Sequence, residues 1–527
     1  MGQTHLEAIG SGSTRRRTLV LMEPPFCFWD RSMDRLREGE ETIPGVGILV
    51  LAALAREKGY AVHVVDAKRA GTTNEDAARR IIALEPDVLG LSCTTISVTN
   101  GSRIAELVKA ARPHATTIVG GAHVSAIPER TLERFPAFDF GIVGEGEVSL
   151  FDLMSRLESG TDVRSVAGLV YRDAERGGKV HANPRAAYLE DLDALPLPAW
   201  DLVPNFPYAF SPSMFNYRRS PVGTLITQRG CPFSCTFCDR STSGRKGRWH
   251  SVDYVVRMMR QMQDYGVKHI LFYDDLFTVN KARVKELCRA MLDHGMDFSW
   301  SCNSHPNLLD EETMRLMKRA GCWSIAYGIE SGSQRVLNHV KHEVKIPRLL
   351  ETLRMTRAAG LRIKGLMMCA HPTETEESLK ETERFLRTAP IDLMQLTKFT
   401  PYPGTPSYPT IHEYGEFTED WEHMNAMNFV FVPRGLDVRT LELYFDRIYR
   451  SFYSRPDVLL GLARMVIEEP RFLRRIGGYS RTFFTERFRR MRALRRSSPG
   501  SRPPWVAGGG GATSEGRPGA GRVVAAS

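Results

Sequence analysis

The stretch Val222–Ser241, VGTLITQRGCPFSCTFCDRS, opens as a short apolar strand and ends in a loop that places Cys231, Cys235 and Cys238 within eight residues. Gly230, Pro232 and Ser234 are turn formers, and a cysteine among them has little to pack against. Three thiolates from one loop suit a 4Fe-4S cluster in which the protein ligates three irons and leaves the fourth open, because a fourth cysteine would close the cluster. A zinc site is the competing reading, but zinc usually draws four Cys or His ligands. No second Cys pair follows, and His250 is the only nearby histidine. The nine cysteines of the 527-residue chain are otherwise scattered, and an odd number with one tight group does not read as a disulfide framework.

Downstream of the loop, helical and strand patterns alternate. The strands are KHILFYDD, FSWSCNSH, CWSIAYGIESG, RIKGLMMCA and LMQLTKFT, and helix-period segments such as SVDYVVRMMRQMQDYG and KARVKELCRAMLDHG separate them. Gly266, Gly295, Gly321 and Gly360 stand where left-handed helix caps are expected. Together with the opening strand this predicts a partial (β/α)6 barrel over residues 219–410. In such folds chemistry sits at the carboxyl ends of the strands. Those ends carry Asp274, Asp275, Asn303, Ser304, Glu330, Ser331, His371, Lys398 and Thr400.

Upstream, RTLVLMEPP, AVHVVDA, DVLGLSCTT, TTIVGGAHV and FGIVGEGE read as five short strands with crossover helices. They predict a doubly wound, Rossmann-like α/β domain over residues 16–190. Residues 1–15 read as a flexible N-terminus and the Pro-, Asp- and Leu-rich 191–218 as a linker. Residues 411–496 read as a mostly helical C-terminal region, and the Gly- and Pro-rich 497–527 as a disordered tail. Aromatics of the irregular stretch after Pro401, including Tyr402, Tyr408, Trp421 and Phe429, suit either core packing or a substrate pocket.

The net charge of +10 is local. Residues 471–496 hold ten arginines against one acid, Glu486, a net of +9, and the tail adds +2, so residues 1–470 carry −1. The body of the chain therefore gives no electrostatic reason to expect a nucleic-acid partner. The basic segment, with Phe484, Phe488 and Met491 at helical spacing, suits either contact with an anionic membrane surface or packing against the barrel. No apolar run reaches the length of a membrane span, and the first residues lack the apolar core of a secretory signal, so the expected location is cytoplasmic.

The spacing C-x-x-x-C-x-x-C after the first strand of a partial barrel, with the aromatic Phe237 between the last two cysteines, resembles the signature of radical SAM enzymes. That resemblance implies S-adenosylmethionine chelated at the open iron and a 5′-deoxyadenosyl radical formed on its reduction. It implies an electron donor such as flavodoxin or ferredoxin. AYGIESGSQRVL resembles the family's ribose-contact strand, with Glu330 as the contact, and FYDDLFT occupies the position of the amino-group contact, with Asp274 or Asp275 in that role. GLMMCAHPTETEES resembles the later strand end, although Ala370 and Thr373 stand where glycines are common, while Glu374 keeps its place.

A doubly wound domain ahead of such a barrel resembles the cobalamin-binding domain of the cobalamin-dependent radical SAM class. The resemblance places Ser92, Thr94, Gly120, Gly121, Gly144, Glu145 and Gly146 near the corrin or its nucleotide tail, where glycine lets the backbone approach a bulky ligand. Methionine-synthase-like domains carry Asp-x-His-x-x-Gly. The nearest spacing match, DAKRAG from Asp66, has Lys68 instead of His, so no protein imidazole is expected on cobalt. His123 is the one loop histidine that bears on this, and a hydrogen bond suits it better than ligation. The implied activity is methylation of an unactivated carbon in a small-molecule or carrier-bound intermediate of a natural-product or lipid pathway, such as antibiotic biosynthesis. A cobalamin-assisted cyclase or rearranging enzyme and an iron-sulfur RNA modifier are the alternatives.

Overall fold

The computed structural model describes residues 17–26, 45–67, 72–204, 206–207 and 216–470. The expected flexible N-terminus, Lys68, the arginine-rich segment and the tail lie outside the described residues.

The N-terminal domain is built on one sheet of seven strands. These are β1 (Thr18–Glu23), β2 (Ala61–Asp66), β3 (Val88–Ser92), β4 (Thr116–Gly120), β5 (Phe140–Ile142), β6 (Leu169–Asp173) and β7 (Lys179–Ala182), in the order β2-β1-β3-β4-β5-β6-β7. The first five pair in parallel and are the strands expected from sequence. β6 and β7 pair antiparallel and extend the edge. They were not expected, because LVYRD and KVHA are short and carry charges. The chain leaves β1 for β2 on one side and returns to β3 on the other, which makes the carboxyl end of β1 and β3 a topological switch point where ligands bind.

The second sheet has six parallel strands. β8 (Val222–Leu225) leads to the short antiparallel pair β9 (Gln228–Arg229) and β10 (Arg248–Trp249), which brackets the cysteine loop. The sheet continues with β11 (His269–Phe272), β12 (Ser299–Ser304), β13 (Cys322–Glu330), β14 (Arg362–Cys369) and β15 (Leu393–Lys398), ordered β15-β14-β13-β12-β11-β8. It is the expected (β/α)6 partial barrel. Ser251, Asn280, Asp310 and Thr375 accept backbone hydrogen bonds at the starts of four of its helices, and Gly266, Gly295, Gly321 and Gly360 end helices at positive φ.

The two domains share core. The helix Val46–Glu57 buries Ile48, Ala52 and Ala55 in the N-terminal domain, while Val46, Leu49 and Val50 join Tyr254, Met258 and Trp200 in the barrel's cluster. Burial on two sides is why its sequence, VGILVLAALA, is apolar around most of its circumference.

The C-terminal region departs from expectation. Residues 411–437 contain a small hairpin, β16 (Gly415–Phe417) with β17 (Phe431–Pro433), and irregular chain, and helices occupy only Val438–Tyr453 and Pro456–Glu468. The irregular chain crosses back over the N-terminal domain, where Trp421, Met424 and Val430 sit in the same cluster as Val124, Phe135 and Phe138. Phe429 is buried in the barrel's cluster, and Tyr402 and Tyr408 pack or bond between elements. These aromatics are packing residues.

Candidate active site

The entry to the cysteine loop is anchored by two carboxylates from the end of β11. Asp274, 2% exposed, accepts from Thr227 N, from Thr227 Oγ1 at 2.7 Å and from Gln228 N at 3.1 Å. Both its oxygens are occupied, and burial raises its pKa to about 6 against those hydrogen bonds. Of the two aspartates proposed from sequence, Asp275 is therefore the one with an exposed side chain, accepting from Gly230 N at 2.7 Å. Gly230 has φ +85°, and a Cβ there would lie 2.2 Å from the Lys246 carbonyl oxygen, so no other residue fits the turn into Cys231.

Cys235 is buried and Cys231 and Cys238 are half-buried. Burial, with the neighbouring thiols adding to it, raises Cys238 to about 12 and Cys235 to about 11. Such thiols ionise when a cation draws off the proton, which is the chemistry of a soft-metal ligand set. Among the described residues no three His, Cys, Asp or Glu side chains converge on a single ion. Phe233 of the loop stacks on His305 at 3.9 Å and 10°, and Ser234 Oγ lies 3.4 Å from Glu343 Oε1. His305 Nε2, Glu343 Oε2 and Thr236 Oγ1 are buried polar atoms with no hydrogen-bond partner among the described residues. Orphaned polar groups gathered on one side of the loop fit a polar molecule seated there.

Two further strand ends face this loop. Glu330 closes β13 at φ +65°, where the pairing with β14 shifts register, and its buried carboxylate lies 3.3 Å from Lys341 Nζ. Burial raises its pKa although Lys341 opposes the shift. A non-glycine residue held left-handed is backbone strain that the surrounding packing must offset. Ala370, after β14, has φ +64°, a conformation that glycine adopts without strain. The next residue, His371, is buried with its ring 6.4 Å from Phe237.

Glu374, 3% exposed, accepts from Ser378 Oγ, and burial raises its pKa to about 7. The folded protein thus holds a proton that the unfolded chain releases near pH 4.5. Its contribution to stability is complete below that pH and is lost as the pH rises through 7. Glu374→Gln is expected to match the native protein at about pH 4 and to exceed it at pH 8 by on the order of 2 kcal/mol, read from chemical melts at both pH values.

A cavity of roughly 380 Å3 opens at the switch point of the N-terminal sheet. Ser92, Gly120, Gly121, Gly144, Glu145 and Gly146 line it, as do Leu21, Gly90 and Ile118. Thr94 does not. It is exposed, and its hydroxyl bonds Ser97 at 3.1 Å. Gly90 keeps the floor open, since a Cβ there would meet Leu21 Cδ2 at 2.6 Å, whereas a Cβ at Gly120 would project into empty space. Gly45 and Gly47, missed from sequence, also line the cavity, and the Gly-x-Gly of IPGVGIL before an apolar helix was the available signal. The glycine-lined apolar floor fits the flat nucleotide tail of a corrinoid. His123 is absent from the lining. Its Nδ1 lies 3.2 Å from Thr95 Oγ1, its ring 4.5 Å from Trp421, and burial lowers its pKa to about 3.

The cavity continues to Gln228, Arg229, Tyr273 and Asp275 of the barrel, so it reaches the base of the cysteine loop. Four charges bind the two rims. Arg229 lies 2.6 Å from Glu147 and 3.2 Å from Glu145, and Arg248 lies 2.6 Å from Glu145. The carboxylate of Glu145, held below its usual range by Arg248 and Arg229 despite burial, is committed to this cross-domain network while lining the cavity.

A glycine-lined cavity at the crest of a Rossmann-type sheet, opening onto a three-cysteine loop at the mouth of an open six-stranded barrel, defines a B12-binding radical SAM protein. Residues 225–386 match the radical SAM superfamily and residues 35–153 the B12 binding domain. An uncharacterized methyltransferase of Pyrococcus horikoshii is 31% identical over 428 residues, which cover 80% of this chain and 90% of that protein. An anaerobic magnesium-protoporphyrin IX monomethyl ester cyclase of Cereibacter sphaeroides is 25% identical over 425 residues, 78% of this chain and 67% of that one. The fold is similar to that of the cobalamin-dependent S-adenosylmethionine radical enzyme OxsB, solved with aqua-cobalamin and S-adenosylmethionine bound, with a TM-score of 0.66 and 20% identity. That match covers 84% of this chain and 66% of the solved one. The chain belongs to the cobalamin-dependent radical SAM family and is a radical SAM methyltransferase whose cofactors are a 4Fe-4S cluster, S-adenosylmethionine and cobalamin. Among the described residues no helix is long and apolar enough to cross a membrane.

Proposed function

We propose that Cys231, Cys235 and Cys238 hold the cluster, that Phe237, Asp275 and Glu330 contact S-adenosylmethionine, and that Ser92, Gly120, Gly121, Gly144 and Gly146 hold cobalamin. The reaction is methylation of a carbon that lacks a lone pair or an acidic proton. When bound, these groups supply hydrogen abstraction and a methyl donor. The observation that carries the reading is the single cavity that runs from the glycine crest to Asp275 and Arg229 at the base of the cysteine loop. Gly230 and Asp275 fix the loop's turn, Asp274 ties the chain between β8 and β9 to the end of β11, and Arg229 keeps it at a set distance from Glu145. The substrate is a small or carrier-bound molecule, and a reduced flavodoxin or ferredoxin supplies the electron.

The test uses Gly120→Leu, at a cavity-lining position where a Cβ would meet nothing within 4 Å. After anaerobic reconstitution the variant is expected to retain at least about tenfold less cobalamin, while iron content and cleavage of S-adenosylmethionine to 5′-deoxyadenosine persist. Cobalamin retained at the native level, or iron lost in parallel, would remove the basis of the assignment. With substrate present, transfer of label from methyl-labelled S-adenosylmethionine into product separates methylation from ring closure.

A further inference from the structure

The cavity has a wall from the barrel as well as a floor of glycines, and His250, directly after β10, stands in that wall. The imidazole is buried and firmly held. Its ring stacks on Tyr254 at 4.1 Å and 12°, its backbone N–H donates to the Thr227 carbonyl at 3.0 Å, and its own carbonyl accepts from Arg283 Nε at 3.0 Å. Its Nδ1 lies 3.0 Å from Asp193 Oδ1, which also accepts from Ser251 N at 3.0 Å. Asp193 sits in a short turn, Leu192–Ala194, of the stretch between the domains, so the linker orients a side chain of the cavity.

These bonds fix which nitrogen carries the proton. Although burial opposes it, hydrogen bonds from Ser251 and His250 hold the Asp193 carboxyl below its usual range. An ionised carboxylate only accepts, so Nδ1 is the protonated nitrogen. Burial lowers the imidazole's pKa to about 4 against the pull of Asp193, which leaves the ring neutral and Nε2 a bare acceptor. Among the described residues none donates to Nε2, and the atom is accessible rather than sealed.

We propose that His250 Nε2 accepts a hydrogen bond from a ribose hydroxyl of the corrinoid's nucleotide tail, an inference that rests on the cobalamin assignment. The cavity, roughly 380 Å3, suits a nucleoside rather than a macrocycle. Within the nucleotide itself the phosphate and the free base nitrogen only accept, and the ribose hydroxyls alone donate. An acceptor-only group in the wall therefore reads the ribose. A cobalt ion would also take a nitrogen whose ring partner is held by a carboxylate, but cobalt lies at the centre of the macrocycle, which this cavity does not admit.

The test compares the affinity of the full chain for cobalamin and for cobinamide, the corrinoid without the nucleotide tail, by anaerobic equilibrium dialysis. His250→Phe keeps a ring on Tyr254 and removes the acceptor. It is expected to bind cobalamin about tenfold more weakly than the native protein and cobinamide equally well, with iron content unchanged. His250→Gln, which returns an acceptor, is expected to fall between the two, and it decides the matter if the phenylalanine variant melts below the native protein. An equal loss for both corrinoids, or no loss for either, would overturn the contact, since neither depends on the tail. So would nitrogen superhyperfine splitting of the cobalt(II) signal that the native protein shows and His250→Phe lacks, because the imidazole would then be on the metal. A native protein that binds neither corrinoid would instead remove the cobalamin assignment beneath the inference.

Discussion

Replacing Cys231, Cys235 and Cys238 together by alanine is expected to reduce iron and sulfide to background and to lower 5′-deoxyadenosine formation by at least about a thousandfold, without unfolding the protein. The remaining described cysteines cannot substitute. Cys93, Cys288, Cys302, Cys322 and Cys369 are all buried, and burial pushes Cys93 and Cys369 far above the ordinary thiol range. The loop's position is set by groups the substitution leaves in place: Asp274 on Thr227, Asp275 on Gly230 N, and Arg240 Nη1 donating to the Phe233 carbonyl at 2.5 Å. Cobalamin retention should therefore stay near the native level, since its cavity lies at the crest of the other domain. Iron and sulfide at native content in the triple variant, measured by chemical assay and by the cluster's visible absorption, would refute the ligand assignment.

The second large effect concerns Arg229, two residues before the first cysteine. Arg229→Ala strands Glu147, whose side chain is 8% exposed, and leaves Glu145 with Arg248 alone. Removing one partner from a buried ionic network costs about 3 to 5 kcal/mol, because the remaining charge keeps its desolvation penalty. The pair also spans the rims of the shared cavity, so the variant is expected to retain several-fold less cobalamin and to show a broadened electron paramagnetic resonance signal from cobalt(II). Arg229→Lys distinguishes positioning from stability alone. An ammonium pairs with one carboxylate where the guanidinium spans two, so the lysine variant should recover most of the melting temperature while the altered signal persists. Full recovery of both, or native cobalamin content in the alanine variant, would show that the network only holds the domains together.

Much of the fold was legible in the sequence because hydrophobic period and turn chemistry are local. The strand and helix alternation of the barrel followed from runs such as HILF and from glycines at helix ends, and each of the four cap glycines has the positive φ its position required. The strands β6 and β7 were not legible, because LVYRD and KVHA gain their strand character from pairing at a sheet edge. The irregular chain around Trp421 was equally opaque. Its destination, the core of the N-terminal domain, lies almost 300 residues earlier in the chain near Val124, and no periodicity encodes a contact of that separation.

The candidate site divides along the same line. Three cysteines in one loop, with glycine and proline between them, announce their chemistry at any resolution of the fold, because the ligands are neighbours in sequence. The glycines after β4 and β5 likewise marked a backbone that must admit a bulky ligand. What the sequence could not decide was how the remaining polar residues divide their work. Asp274 and Asp275 are adjacent and chemically identical, yet one is sealed against Thr227 and Gln228 while the other reaches the cavity, since successive residues at a strand end point to opposite sides. Glu145 lines the cavity as the sequence suggested, but its charge is spent on Arg229 and Arg248, partners brought to it only by the packing of one domain on the other. The local pattern of residues determined the two folds and the cofactor class; the assembly of the domains alone decided which acids remain available to a ligand, because a buried charge takes the partner that packing supplies.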